Sequence, residues 1–313
     1  MSLCRTGLCD AVSVTGRTSS LFASLPATAQ GAIWMLGASL FFGTHGPIVR
    51  YATAADGEPL VIGFFRSVTF LVLMLPWIVR NRNTALRTRR PGAQIMRSVY
   101  SMAGLILLIL AQANLPLAEV SALTFAAPLF GVIGAALLLR EVVRPACWIA
   151  TIVGLFGVWV VLRPGLSSVD PLFALPLGAA VFVAASNLMI RSLSRDDSPT
   201  TTIAWLAMAA VPLTLIPALF AWAWPGPEAL AWMCLLGIAG LGAHICLTRA
   251  FTAAEASAVL SYDYSRLIVT ATLAFFLFGE IPTVWTWLGG AIIVGAVVYM
   301  ARHGGKNPNR SSG

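Results

Sequence analysis

Charged residues are scarce in this sequence. Asp, Glu, Lys and Arg make up only 10% of the 313 residues, against 58% hydrophobic residues, and the mean hydropathy is +0.84. An average soluble domain is about 25% charged, and a chain of this length has too little interior to hide so much apolar surface from water. The composition therefore argues against a soluble, disordered or coiled-coil protein and predicts an integral membrane protein.

Cysteine and the common catalytic motifs are also sparse. The five Cys residues include no pair at CxxC or zinc-ligand spacing, so we expect no disulfide framework and no metal site. The sequence has no HExxH, GxSxG or paired-Asp motif and no Cys/His cluster. These absences predict a protein that is not an enzyme and that uses no cofactor.

Long apolar runs dominate what is present. Ten runs approach the ~20 residues that a helix needs to cross a membrane, and none alternates as a transmembrane strand would. We therefore predict an all-α integral membrane protein with ten transmembrane helices, separated by turn sequences such as DGEP and WPGPE. The predicted spans are 31–51, 59–79, 94–113, 117–138, 146–163, 171–191, 200–221, 228–248, 256–278 and 283–301.

Basic residues indicate the orientation. If residues 1–30 form a flexible cytoplasmic tail, 16 of the 20 Lys and Arg residues, Arg97 among them, lie on the cytoplasmic side. Arg66 and Arg266 lie within spans, and only Arg50 and Arg163 lie outside. This bias predicts a bacterial inner-membrane protein with both termini, including the tail 303–313, in the cytoplasm. The net charge of +8 then reflects orientation in the membrane, so we expect membrane lipid and no nucleic acid as a partner. A cleaved signal peptide within residues 1–27 is the alternative, although its apolar core is short.

The two halves of the chain echo each other. GASLFFGTHGPIVR at 37–50 is similar to GAAVFVAASNLMIR at 178–191, and AGL and AEVSA recur further on as AGL and AEASA. The shared order predicts a duplication, with five-helix repeats at 31–165 and 171–302. Because five is an odd number, the second repeat must be inverted in the membrane. Inverted repeats with a binding site between them are a recurring plan of transporters.

Three segments add a family resemblance. Together with the repeats, TFAAPLF (124–130), LREVV (139–143) and FGEIP (278–282) resemble the EamA family of the drug/metabolite transporter superfamily. The resemblance implies transport without naming the cargo, since that family contains exporters of amino acids and importers of cofactor-like metabolites. TFAAPLF looks most like members that include riboflavin and S-adenosylmethionine carriers. One departure is Arg140-Glu141, where the family usually has Gly-Glu.

Ionisable residues inside the predicted spans are the candidate substrate-binding residues. An Arg or Asp at the centre of a membrane helix costs about 2.5–3.5 kcal/mol, so such residues normally face a bundle interior or a wet cavity. Depth along the spans places Arg66 and His45 in an outer tier and Asp263, Arg266 and His244 in an inner tier. The competing interpretations are a structural Asp263–Arg266 pair, and histidines that pack and hydrogen-bond instead of relaying protons.

Aromatic and amide residues complete the candidate site. Tyr262, Tyr264 and Tyr100 could stack on a planar substrate, and Asn187 could hydrogen-bond to one. Packing, an interfacial aromatic belt and helix–helix hydrogen bonding are the competing interpretations.

Prolines within the spans predict kinks. Pro47 and Pro128 lie in the first and fourth spans, and Pro212 and Pro217 are expected to interrupt the seventh. Such kinks either act as gates or curve a helix around a cavity.

Together these features predict a carrier that moves a small polar organic metabolite by alternating access. We expect export of amino acids or related metabolites, with proton coupling through a histidine as one option. Uptake of a cofactor-like metabolite, of the riboflavin or S-adenosylmethionine type, is the alternative. A channel or a non-transporting scaffold is a further alternative, although no span carries the repeated polar motif of a selectivity filter.

Overall fold

The fold is a bundle of helices. The computed structural model describes residues 27–81, 85–138, 145–162, 170–193, 197–253 and 265–304, and these ranges contain no β-strand. The helices are α1 (Ala27–Gly43), α2 (His45–Ala54), α3 (Pro59–Arg80), α4 (Pro91–Asn114), α5 (Leu117–Thr124), α6 (Ala127–Leu138), α7 (Pro145–Leu162), α8 (Ala174–Leu193), α9 (Pro199–Phe220), α10 (Pro227–Ala253), α11 (Ser265–Phe278) and α12 (Val284–Gly304), with a 3₁₀ turn at Pro171–Phe173 before α8.

Proline defines where many of the helices begin. Pro59, Pro91, Pro145, Pro199 and Pro227 are the first residues of α3, α4, α7, α9 and α10. Proline suits this position because its missing N–H has no helical partner there, and its φ angle is already helical. The predicted starts of these five spans consequently agree with the helix starts to within three residues. The predicted start of the ninth span, at 256, lies outside the described residues.

Several helical segments match the thickness of a membrane. Seven of them, of 18 to 26 residues, are long and apolar enough to span a bilayer, counting α1 with α2 and the start of α6 with α5. Three shorter apolar helices, at Cys147–Leu162, Ile268–Phe278 and Val284–Tyr299, accompany them. Large apolar side chains such as Ile152, Phe220 and Phe276 point outward from the bundle, at 66%, 87% and 76% exposure. This surface suits lipid as its solvent.

Two predicted spans are broken helices. The first is divided between α1 and α2 at Thr44, and the fourth is divided between α5 and α6 at residues 125–126. Each break comes two or three residues before a proline, Pro47 or Pro128, because proline has no N–H for the preceding helical turn. The expected interruption at Pro212 and Pro217 is wrong, since α9 runs through both residues.

The most extensive packing joins the two halves. Helix α1 packs on α10 and α4 on α8, while α7 packs on α12 and α3 on α9. Contacts of α3 with α10 and of α4 with α9 complete the centre. When the spans of the two halves are matched in sequence order, the contact of α1 with α10 corresponds to that of α8 with α4, and the contact of α3 with α10 to that of α9 with α4. The contacts of α7 with α12 and of α3 with α9 each correspond to themselves. The packing therefore has the pseudo-two-fold pattern expected of duplicated halves.

Glycine permits the closest of these approaches. A Cβ atom on Gly157 of α7 would lie 2.9 Å from the carbonyl oxygen of Gly289 of α12. Real Cβ atoms do not come so close to a carbonyl, so the backbones of α7 and α12 can meet only where side chains are absent.

Candidate functional site

A small cavity lies at the centre of the bundle. Helix α3 contributes Arg66, Ser67 and Phe70 to its wall, and α10 contributes His244. The remaining lining residues are Met102 of α4, and Leu206 and Ala210 of α9. The cavity has room for about one water molecule. Its wall combines a few polar groups with an apolar surround, and both halves of the chain supply it.

Arg66 is the most unusual side chain in this wall. It is only 5% exposed, and its Nε has no hydrogen-bond partner. The guanidinium packs against Gly240 of α10, where a Cβ atom would lie 2.7 Å from Nη2. A buried donor without an acceptor costs about 1–3 kcal/mol, and more when it is charged, so the site holds an unused capacity to donate a hydrogen bond.

His244 lies on the same cavity as Arg66. Its ring is half-buried and meets Phe42 and Phe70 edge to face, at centroid distances of 5.8 Å and 5.7 Å. The charge of Arg66 acts on the ring, as does that of Arg97. The expected separation into an outer tier with Arg66 and an inner tier with His244 is therefore wrong.

His45 is buried at the start of α2. It is 4% exposed, and its Nδ1 lies 3.1 Å from the amide oxygen of Gln112 on α4, so the ring nitrogen donates. The charges of Arg66 and Arg266 both reach the ring. The contact with Gln112 is of the kind expected for a packing histidine, and the role of His45 as a proton relay stays a prediction.

Arg266 lies near the start of α11 and faces two aromatic rings. Its guanidinium carbon is 4.9 Å from the centroid of Phe125 and 5.7 Å from that of Phe42, within cation–π distance. The three neighbouring candidates Tyr262, Asp263 and Tyr264 lie outside the residues that the structure describes. Their roles stay predictions.

Tyr100 and Asn187 lie away from the cavity wall. Tyr100 is half-buried, and its ring faces Phe182 of α8 at 6.3 Å. Asn187, also on α8, is exposed. The structure does not bring either residue into contact with the group around Arg66.

Sequence reasoning missed a second buried cation. Arg97 was assigned to the cytoplasmic positive charges, but it is 3% exposed in α4 and donates from Nη1 to the carbonyl of Thr202 at 3.0 Å. Its Nε, like that of Arg66, has no hydrogen-bond partner. One turn earlier, Gln94 donates to the Asp197 carboxylate at 2.8 Å. The position of Arg97 inside the apolar run 94–113 was the available signal.

Sequence reasoning also missed an ion pair that joins the two halves. Arg50, at the end of the first span, forms a salt bridge with Glu280 in the loop after α11. Arg50 also donates to the carbonyl of Gln112, and Glu280 accepts from the N–H of Leu117 at 2.9 Å. Gly279 presents Glu280 to these partners: its φ of 66° is left-handed and ends α11.

The described residues offer no metal centre. Among them no three His, Cys, Asp or Glu side chains group closely enough to hold an ion. Cys147, Cys234 and Cys246 are free thiols. The polar side chains in the cavity wall are those of Arg66, Ser67 and His244.

Comparison with known proteins identifies the architecture. The model of the EamA-like transporter family matches residues 29–163 and again residues 172–302. A solved crystal structure aligns with a TM-score of 0.61 and 18% identity, covering 88% of this chain and 98% of that one, which shows a shared fold.

Curated relatives are bacterial transporters. The chain is 32% identical to a riboflavin transporter of Vibrio cholerae, covering 90% of this chain and 96% of the relative. It is 27% identical to an S-adenosylmethionine uptake transporter of Rickettsia prowazekii (76% and 81% covered) and 28% identical to a pseudopaline exporter of Pseudomonas aeruginosa (87% and 96% covered). Two family matches over most of the chain, an all-helical apolar structure and these relatives agree: the chain belongs to the EamA-like transporter family and is a multi-pass membrane transporter.

Proposed function

We propose that the protein is a secondary carrier for the uptake of a flavin-type metabolite. It would work by alternating access between two inverted five-helix repeats, with ten spans and both termini in the cytoplasm of a bacterial inner membrane. The seven long and three shorter apolar segments support ten spans. The symmetric packing of the halves supports rocking of one repeat against the other.

The observation that carries the substrate proposal is the similarity to riboflavin transporters. The Vibrio cholerae relative aligns over 96% of its length, and a second riboflavin transporter, from Rhizobium johnstonii, is 30% identical over 87% of this chain. The apolar cavity wall with a few polar groups is suited to a planar organic molecule with hydrogen-bond acceptors.

A growth experiment tests this proposal. A bacterial strain that can neither make nor import riboflavin is transformed with the gene and grown on limiting riboflavin, with an empty vector as control. We expect growth, and saturable accumulation of labelled riboflavin that stops when a protonophore collapses the proton gradient. Absence of both growth and uptake in cells that contain the protein in their membrane would exclude riboflavin as the cargo. Non-saturable flux would instead indicate a channel.

Export of an amino acid or related metabolite is the second candidate. The similarity to a pseudopaline exporter favours it. It predicts that cells with the gene accumulate one nitrogen-containing metabolite in the medium, which a metabolite-wide comparison of cells and medium would detect.

The candidate residues at 262–266 enter the proposal as cargo contacts. Tyr262, Asp263 and Tyr264 lie outside the described residues, and Arg266 lies near the start of α11. Asp263 and Arg266 would bind charged groups, and Tyr262 and Tyr264 would stack on the ring system. Replacement of Asp263 by Asn is expected to abolish flux while the protein still inserts in the membrane. Flux at the wild-type rate would remove Asp263 from the site.

A further inference from the structure

Two arginines are buried at the centre of the bundle with unused hydrogen-bond donors. Arg66 and Arg97 are 5% and 3% exposed, and the Nε of each has no hydrogen-bond partner. No described carboxylate lies within ion-pair distance of either guanidinium. A buried cation that lacks an anion is costly, so the arrangement favours binding of an anion that the described carboxylates do not supply.

The neighbouring charges have the same sign. Arg66 and Arg266 both act on His45, and Arg66 and Arg97 both act on His244. Positive charges that converge in a low-dielectric interior create a field that concentrates anions and repels cations. The charges in the described part of the centre would therefore favour an anion over a cation.

The cavity beside Arg66 has donors suited to one acidic group. It holds about one water molecule, so the helices around it must move apart before a carboxylate or phosphate can enter. A guanidinium offers planar paired donors that match a carboxylate or phosphate, and the His244 side chain also lines the cavity. The other walls, which include Phe70 and Met102, are apolar.

We propose that the Arg66 cavity binds the acidic group of an amphipathic organic anion, either a carboxylate or a phosphate on an apolar or aromatic body. This proposal rests on the carrier function but not on riboflavin itself, which is neutral. It names an anionic class of cargo, such as a phosphorylated flavin, and it disfavours cationic cargo of the S-adenosylmethionine type.

Binding to the purified chain tests the proposal. Riboflavin and riboflavin 5′-phosphate share one ring system and differ by a phosphate, so quenching of flavin fluorescence reports the contribution of that group. S-Adenosylmethionine is added as a competing cation, and succinate and inorganic phosphate as competing anions. We expect the phosphorylated flavin to bind more tightly than riboflavin, and the anions to compete better than the cation.

Variants at Arg66 locate the effect. Arg66→Gln is expected to weaken binding of the phosphorylated flavin at least about tenfold, as loss of a charged hydrogen bond does, and to leave riboflavin binding nearly unchanged. Arg66→Lys keeps the charge and should retain part of the preference. The matched control is Arg80→Gln, because Arg80 lies exposed at the end of the same helix. It should bind both flavins as the wild type does.

A second variant tests the proposal even if Arg66→Gln does not fold. Gly240→Ala puts a methyl group 2.7 Å from Nη2 and forces the guanidinium to move without removing its charge. It too should weaken binding of the phosphorylated flavin. Equal binding of both flavins by the wild type, or an unchanged preference in folded Arg66 and Gly240 variants, would overturn the proposal.

These measurements distinguish failure of the anion site from failure of the riboflavin uptake proposal. If riboflavin fails to support growth but anions bind through Arg66, the anion site stands and the flavin uptake proposal falls. If riboflavin uptake is normal in Arg66→Gln and no anion preference is measured, the uptake proposal stands and the anion site falls.

Discussion

The hydroxyl of Thr270 on α11 donates a hydrogen bond of 3.3 Å to the carbonyl of Gly43 at the end of α1. Pro47, whose N–H would normally meet this carbonyl from the following turn, has none. The broken first span is therefore completed by a side chain from the other half of the chain. Neighbouring helices and hydroxyl side chains are the usual way to satisfy backbone groups that proline frees in a membrane.

Replacement of Thr270 by Val should destabilise this junction. The change keeps the shape of the side chain but leaves the Gly43 carbonyl without its donor, at a cost of about 0.5–1.5 kcal/mol. We expect the thermal midpoint of the purified protein to fall by about 1–3 °C. Thr270→Ser retains the hydroxyl and is the control. Equal midpoints for the Val and Ser variants would show that the hydrogen bond contributes nothing.

Gly43 should not tolerate a side chain. A Cβ atom there would lie 2.5 Å from Cγ1 of Val269, so Gly43→Ala forces α1 and α11 apart. We expect a loss of thermal stability that Val269→Ala partly restores in the double variant, because the two residues then share the freed space. The control is Gly131→Ala, since a Cβ atom there meets nothing within 4 Å. An equal effect at both glycines would contradict the close contact.

Two variants of Glu280 should distinguish the contribution of its ion pair with Arg50 from that of its hydrogen bond with the Leu117 N–H. Glu280→Gln removes the charge that pairs with Arg50 but keeps an oxygen that can accept from the Leu117 N–H. Glu280→Ala removes both, so its thermal midpoint should lie below that of the Gln variant. Because Arg50 and Glu280 are 22% and 18% exposed, salt should weaken the wild type more than either variant. A Gln variant as unstable as the Ala variant would assign the whole effect to the charge.

The topology can be checked with reporter fusions. We expect a cytoplasm-active reporter to be active, and a periplasm-active reporter inactive, at both the N-terminus and the C-terminus, because an even number of spans returns the chain to its starting side. A fusion after Tyr51 should give the opposite pattern. Termini on opposite sides would contradict the inverted repeats.

The helix boundaries and breaks were largely predictable from the sequence. Proline at a helix start leaves a strong local signal, as at Pro59 and Pro227, and Pro47 and Pro128 mark the two broken spans. Pro212 and Pro217 were misjudged because a membrane helix can continue through proline when its freed carbonyls find other donors.

The arrangement of polar residues was less predictable. Position along a span gives depth, but not the rotation or tilt of each helix, so His244 was placed far from Arg66 although both line one cavity. Arg97 was assigned by charge alone to the cytoplasmic side. The pair of Arg50 and Glu280 joins residues 230 positions apart, and no local pattern indicates such a contact.

The dependence of each half on the other constrains how the protein is made. Arg97 finds its hydrogen-bond acceptor at Thr202, and Arg66 packs on Gly240, both of which are synthesised much later. Until the second half is synthesised, these two cations lack their contacts with Thr202 and Gly240. An Arg side chain that is exposed to lipid is unfavourable in free energy. We therefore expect the first half, made alone, to insert less stably in the membrane than the whole chain does.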